Sequence, residues 1–321
     1  SGETFSLDLA MSHLTADIIC RTVFSTPLQT GVAVDIFEDF NLFERSAVQV
    51  DVLRLILKPA WSDIPQPPEV LAACERIRRH LGTLVDSHLE HPESFDDIAS
   101  SVIAARDNET GEPFTREELI DQLGVFFLAG HETTASALTW AFYMLADQPH
   151  WLERLREEIA SVVGDAPLSF EHTRQLPLIK AFFKETLRLY PPITFMPRVA
   201  LREATVAGRR LRKGALVMIA PWTLQRHGKW WPDPHAFKPE RFLPEQEKTI
   251  AQGAYIPFGQ GPHTCVGAGF AQTESVLILA ELVRRFEWIL TPGQTVRPAA
   301  RMTTRPVNQV TLHVRPQGYP H

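Results

Sequence analysis

Cysteine is scarce in this sequence: Cys20, Cys74 and Cys265 stand far apart, odd in number and without a CxxC pair. That excludes a disulfide framework or a multi-cysteine zinc site and favours a reducing compartment. Long apolar runs are missing too. No stretch of about 18 uninterrupted apolar residues occurs, so nothing reads as a membrane-spanning helix. Positive charge is in deficit, with 32 Lys and Arg against 38 Asp and Glu and a formal net charge of -6. Neither nucleic acid nor an anionic membrane attracts such a chain as its main partner. Basic residues do cluster locally, at Arg76, Arg78 and Arg79 and again at Arg209, Arg210, Arg212 and Lys213. These runs read as solvated faces, since no aromatics are interleaved to stack bases. What remains, 44% hydrophobic and 22% charged, is ordinary globular composition. The sequence opens without Met and already in a helix-like apolar pattern, so an upstream anchor stays open beside the expected cytoplasmic location.

Helical periodicity fills the first half. Residues 5–25 predict one helix, residues 31–58 two more, and Pro68 opens another that runs to about Glu90. A short helix is expected over about 95–106. Thr115 and Glu118 have capping-box spacing and open a long helix to about Ala146. Pro149 opens the next, ending at Gly164, and a further one over about 176–190 stops at Pro191-Pro192. Then the texture changes. β-Branched residues around Gly208 and Gly214 predict short hairpin strands, followed by a proline-rich meander over 232–257. A helix is expected over about 266–286 and a strand pair from Thr303 to Val314. The class is mainly α with small β-sheets. No linker separates domains, so a single domain over 1–321 is expected.

Cys265 lies in FGQGPHTCVGAGF, between Gly259, Gly261, Gly267 and Gly269 and just before a helix. It could be a structural cysteine in a turn. The reading preferred here is a ligand: glycines let the backbone approach a flat molecule, and a helix N-terminus stabilises a thiolate. Phe258 is placed to shield the sulfur. A cysteine nucleophile is the weaker option, because His263 is only two residues away and no orienting acid stands out. In the long helix, AGHETT (129–134) permits close packing at Ala129 and Gly130, and its threonines can bond back to carbonyls and kink the helix. Glu185 and Arg188 in KETLRLYPP share a helix face, and FKPERF supplies Arg241.

Phe258-x-x-Gly261-x-x-x-Cys265-x-Gly267 resembles the haem-binding loop of cytochromes P-450. AGHETT, the ExxR pair with Arg241 and WPDP (231–234) with Phe237 follow the family's order. The resemblance implies haem b with Cys265 as axial ligand of the iron. It implies that Arg198 and His263 reach the propionates, and that Glu132 and Thr133 deliver protons in a kinked helix on the distal side. Glu185, Arg188 and Arg241 would form a structural triad. The substrate pocket would include Phe126, Phe127, Ala129, Gly130, Ile193, Thr194 and Phe195, with Met302 and Thr303 at its margin. The implied activity is hydroxylation of a hydrophobic small molecule with dioxygen and electrons from a ferredoxin or flavoprotein reductase. A peroxide-driven relative or a non-catalytic haem binder is the alternative; intact Glu132 and Thr133 argue against the first. The family's N-terminal helices, its first strands and a Trp-x-x-x-Arg propionate contact are not found in this sequence, so weak haem retention is expected of the chain alone.

Overall fold

Prolines, capping hydroxyls and apolar spacing set the helix boundaries. A computed structural model describes residues 3–28, 31–47 and 66–318, which fall into two compact units, Ser12–Ala135 and Ser1–Met11 with Ser136–His321. The second helix expected within 31–58 lies largely outside the described residues. No described helix is long and apolar enough to cross a membrane.

The unit Ser12–Ala135 is helical. Its elements are most of α1 (Leu7–Phe24), α2 (Gly31–Ala47), α3 (Pro68–Glu90), α4 (Ile98–Ala104) and the first part of α5 (Arg116–Asp147). Pro68 begins α3, where its missing N–H leaves no bond unmade. Val70, Ala73, Ile77, Leu81 and Val85 are buried at helical spacing and give α3 one apolar stripe. Ile77, Leu81 and Val85 join a core with Ile19, Val23 and Phe24 of α1, Phe37 and Phe40 of α2, and Leu119, Leu123 and Phe127 of α5. At the start of α5 the Thr115 N–H and hydroxyl each donate to Glu118 Oε2 at 2.7 Å, while Glu118 N–H donates to Thr115 Oγ1 at 3.3 Å. That is the capping box its spacing predicts.

The second unit holds the sheets. β1 (Glu3–Ser6), β6 (Phe286–Leu290) and β9 (Thr311–Pro316) form an antiparallel sheet in the order β1-β9-β6. β1 takes Phe5 and Ser6 from the start of the helix expected over 5–25. Phe5 sets its ring edge-on to Trp288 at 6.4 Å, and α1 starts only at Leu7, after Ser6 has donated to Asp8 Oδ1 at 2.7 Å. Three two-stranded ladders follow: β2 (Met196–Val199) with β5 (Leu216–Ile219), β3 (Ala204–Val206) with β4 (Arg209–Leu211), and β7 (Pro298–Ala300) with β8 (Thr304–Pro306). The strand pair expected from Thr303 to Val314 is not one hairpin. β8 pairs back to β7, while β9 pairs with β1 and β6. The β7–β8 ladder ends on Pro298 opposite Pro306, and neither residue has an N–H with which to extend it.

Helices α6 (His150–Val162), α7 (Phe170–Thr173), α8 (Pro177–Leu189), α9 (Pro221–Leu224), α10 (Pro244–Glu247) and α11 (Ala268–Arg285) complete this unit. α8 carries a charged pair with no exposed surface. Arg188 donates to both oxygens of Glu185, at 2.7 and 2.8 Å. Its remaining N–H groups go to the carbonyls of Gln225 and Pro234 at 2.8 Å and of Ala236 at 3.0 Å. All the guanidinium donors are thereby used, and the guanidinium carbon lies 5.0 Å from the centroid of the Trp231 ring. Glu185 also accepts the Lys238 N–H at 2.7 Å. Arg241 completes the expected triad more loosely: its Nε is 3.4 Å from Glu185 Oε1 without an aligned hydrogen bond, and its Nη2 donates to the Asp233 carbonyl at 2.9 Å.

A second buried carboxyl is treated differently. Glu274 of α11 is 6% exposed, and neither oxygen has a hydrogen-bond partner among the described residues. Burial pushes its pKa up to about 8.

Removing one member of a fully buried pair strands the other charge. Glu185→Gln is therefore expected to lower unfolding free energy by about 3–5 kcal/mol, with a smaller loss for Arg241→Ala, both read by denaturant titration. Glu274 supplies a pH prediction. Its folded pKa lies above the carboxylate value of the unfolded chain, so the folded state binds the extra proton and stability falls as pH rises from about 4.3 towards 8. Thermal unfolding across that window should show the decline in the parent and a flatter profile in Glu274→Gln. Parallel profiles would contradict it.

Candidate functional site

The glycine loop is anchored from below. Gln225, with no exposed surface, donates to the carbonyls of Leu187 and Arg188 at 3.0 and 3.1 Å and accepts the Ile256 N–H at 2.9 Å. The end of α8 is thus fixed to the irregular segment entering the loop. Past Ile256, Gly259 and Gly261 both take φ of +75°, a conformation glycine adopts without a steric penalty. A Cβ on Gly259 would also lie 3.3 Å from the His263 carbonyl. A 3-10 turn, Gly261–His263, follows. Cys265 then donates its N–H to the Phe258 carbonyl at 2.8 Å. That bond closes the loop and sets Phe258 beside the cysteine. Gly267 caps α11.

Cys265 is the exposed cysteine of the three. Burial, aided by the charge of Asp17, pushes the Cys20 thiol up to about 12, and Cys74 is raised as well, burial again being the larger cause. An inert buried thiol is a poor ligand, whereas an accessible one ahead of a long helix has the right setting.

β2 borders the loop. Met196 Sδ is 3.6 Å from where a Cβ on Gly259 would stand, and Arg198 shares its strand face. Arg198 is half-buried, donates only to the Pro197 carbonyl at 2.8 Å and pairs with no carboxylate among the described residues. His263 is exposed on the 3-10 turn. An accessible thiol in a glycine cradle, with an uncommitted guanidinium nearby, is a donor set that fits haem and its carboxylates.

In α5, Glu132 and His131 are each 1% exposed. Thr133 is partly exposed and donates to the Ala129 carbonyl at 2.7 Å, while the Thr15 hydroxyl donates to the His131 carbonyl at 3.0 Å. α5 runs helical through AGHETT from Arg116 to Asp147, and the Thr133 hydroxyl bonds back one turn as expected. Gly130 serves close packing, since a Cβ there would collide with Ile19. Phe127 has no exposed surface and stacks on Phe40 at 4.9 Å. Ala129 and Phe126 retain accessible surface.

A polar clasp that sequence reading missed places the other apolar candidates. The Thr304 N–H donates to the Pro192 carbonyl at 2.9 Å, and its hydroxyl to the Pro191 carbonyl at 2.5 Å. The Thr304 carbonyl accepts from Ser136 Oγ and Trp140 Nε1, each at 2.7 Å. Trp140 stacks on Tyr190 at 4.1 Å. Ile193, Thr194 and Phe195 leave this clasp, with Phe195 half exposed and Thr194 buried. Nothing in local sequence marks Thr304, Ser136 or Gln225, whose partners are remote.

The family model for cytochrome P-450 matches residues 1–314. Cyclooctatin synthase of Streptomyces melanosporofaciens is 32% identical over 296 residues, covering 91% of this chain and 64% of that protein. Pentalenene oxygenase of Streptomyces avermitilis is 30% identical over 292 residues, covering 89% of this chain and 63% of that one. The chain thus spans less than two thirds of the length of either relative. The solved heme domain of cytochrome P-450DA superposes with a TM-score of 0.84 at 24% identity, covering 98% of this chain and 69% of that one, which bears on the fold alone. Helical units with small sheets, the thiol loop and a family match over nearly the whole length agree: the chain belongs to the cytochrome P-450 family.

Proposed function

We propose that the whole protein is a haem-thiolate monooxygenase that hydroxylates a hydrophobic small molecule. The observation that carries this reading is the Cys265 loop: an accessible thiol, pinned by its own N–H to the Phe258 carbonyl at 2.8 Å, just ahead of α11. When bound, haem b would supply the activation of dioxygen, using electrons from a ferredoxin or a flavoprotein reductase.

The protein's own residues have separable tasks. Cys265 is the thiolate ligand, set two residues before Gly267, the N-cap of α11. Phe258 keeps water from the sulfur. Arg198 offers a guanidinium with no competing carboxylate among the described residues, and His263 a second donor, to the carboxylates at the rim of the cofactor. Thr133 holds its proton towards the Ala129 carbonyl and, on side-chain rotation, can pass it onward. Glu132 is the acid that reloads it. Phe126, Ala129, Ile193 and Phe195 are apolar and not fully buried, which suits an apolar substrate. The relatives' names, cyclooctatin synthase and pentalenene oxygenase, do not agree on one compound.

Cys265→Ser is expected to abolish the red-shifted Soret band that thiolate ligation gives the reduced carbon monoxide complex; a retained band would end the assignment. Thr133→Ala should keep haem yet divert reducing equivalents into hydrogen peroxide, with product formation down on the order of 10²-fold. Unchanged coupling of electrons to product would remove the proton-relay role.

A further inference from the structure

We propose that the β3–β4 hairpin is a docking element for an anionic lipid surface. Between Leu201 and Ala215 the sequence carries Arg202, Arg209, Arg210, Arg212 and Lys213 against the single carboxylate of Glu203, in a chain whose net charge is -6. The hairpin is therefore opposite in sign to the molecule that bears it. Every residue from 201 to 210 is exposed.

The geometry sorts these side chains. The turn is made by Ala207 and Gly208, both at positive φ, +49° and +77°, which suits the twist of a two-residue hairpin. Thr205 faces Arg210, Val206 faces Arg209, and Ala204 faces Leu211. Directly paired residues share a face, so Ala204, Val206 and Leu211 line one side with Arg209 at its tip. Arg210 lies on the other side and is tied to Glu203 at 2.5 Å. Arg202, Arg209, Arg212 and Lys213 have no carboxylate partner among the described residues. Val206 at the tip is 54% exposed, and Leu201 at the base 86%.

Unpaired cations framing exposed apolar side chains match what an acidic headgroup layer over hydrocarbon recognises. A two-stranded ribbon offers little area, far below the roughly 1,200–2,000 Å² that a stable protein interface buries. A lipid surface needs no such fixed area: each cation brought near it adds about five-fold to partitioning, and Val206 and Leu201 can enter the boundary between headgroups and chains. No aromatic residue lies between Leu201 and Ala215, which removes the stacking platform that single-stranded nucleic acid uses. A composition-level deficit of positive charge does not decide what one projecting ribbon meets.

The test is flotation of the protein with vesicles of phosphatidylcholine alone and of phosphatidylcholine mixed with phosphatidylglycerol. Binding is expected only to the mixed vesicles and should weaken with added salt. Reversing Arg209, Arg212 and Lys213 to Glu should lower it by at least about 10²-fold. Because these side chains are at the surface, the variant's circular dichroism should match the parent's. A Val206→Trp variant gives a second readout: its fluorescence should shift to the blue on mixed vesicles and not on neutral ones. Equal binding to both vesicle types, or full binding by the charge-reversed variant, would overturn the proposal. So would retention by an immobilised acidic ferredoxin without any vesicle binding, which would assign the hairpin to a protein partner.

Discussion

Arg188 has no freedom left. Each of its N–H groups is spent on Glu185 or on one of three backbone carbonyls, from Gln225, Pro234 and Ala236, and none of its surface reaches solvent. A guanidinium taken out of water carries a desolvation cost of several kcal/mol, recovered only when every donor is satisfied. That demand fixes where the meander runs. Gln225 extends the same arrangement from the end of α8 to Ile256, and the loop that presents Cys265 begins three residues beyond, at Gly259. The thiol's position is thus downstream of a buried charge that does no chemistry itself.

The two buried carboxyls of this unit show how environment decides the role of one residue type. Burial raises the pKa of Glu185, and the donated bonds and charge of Arg188, then the Lys238 N–H, oppose that rise. Glu274 has burial alone acting on it. The first is held as an ion inside a fixed network. The second is favoured as a neutral acid near pH 7. On the helices packed against α11, Arg154 pairs with Glu240, Arg156 donates to the Val283 and Phe286 carbonyls, Glu158 accepts backbone N–H groups, and Lys184 pairs with Glu247.

Much of the helical framework was legible in the sequence because its signals are local. Pro68, the Thr115–Glu118 box and the stop at Pro191 act within a turn or two, and the structure places boundaries there. The Cys265 loop was legible for the same reason, its glycines and cysteine lying within a few residues. What could not be read is remote pairing. β9 takes partners from the two ends of the unit, β1 and β6. Thr304 and Gln225 act through carbonyls far away in sequence. The expected triad was half right in emphasis: Arg241 is present, yet backbone carbonyls and the Lys238 N–H do more to satisfy the pair. Gly130 of α5 was legible as a close-packing position, and Ile19 stands where its Cβ would lie.

Burial raises the thiols of Cys20 and, less completely, of half-buried Cys74, and Cys265 is the exposed cysteine of the three, so the account stands on one sulfur. X-ray absorption at the iron edge of the haem-loaded, full-length protein tests it most directly. The account predicts a single sulfur scatterer in the iron's first shell beside the porphyrin nitrogens. A first shell of nitrogen or oxygen alone would contradict it.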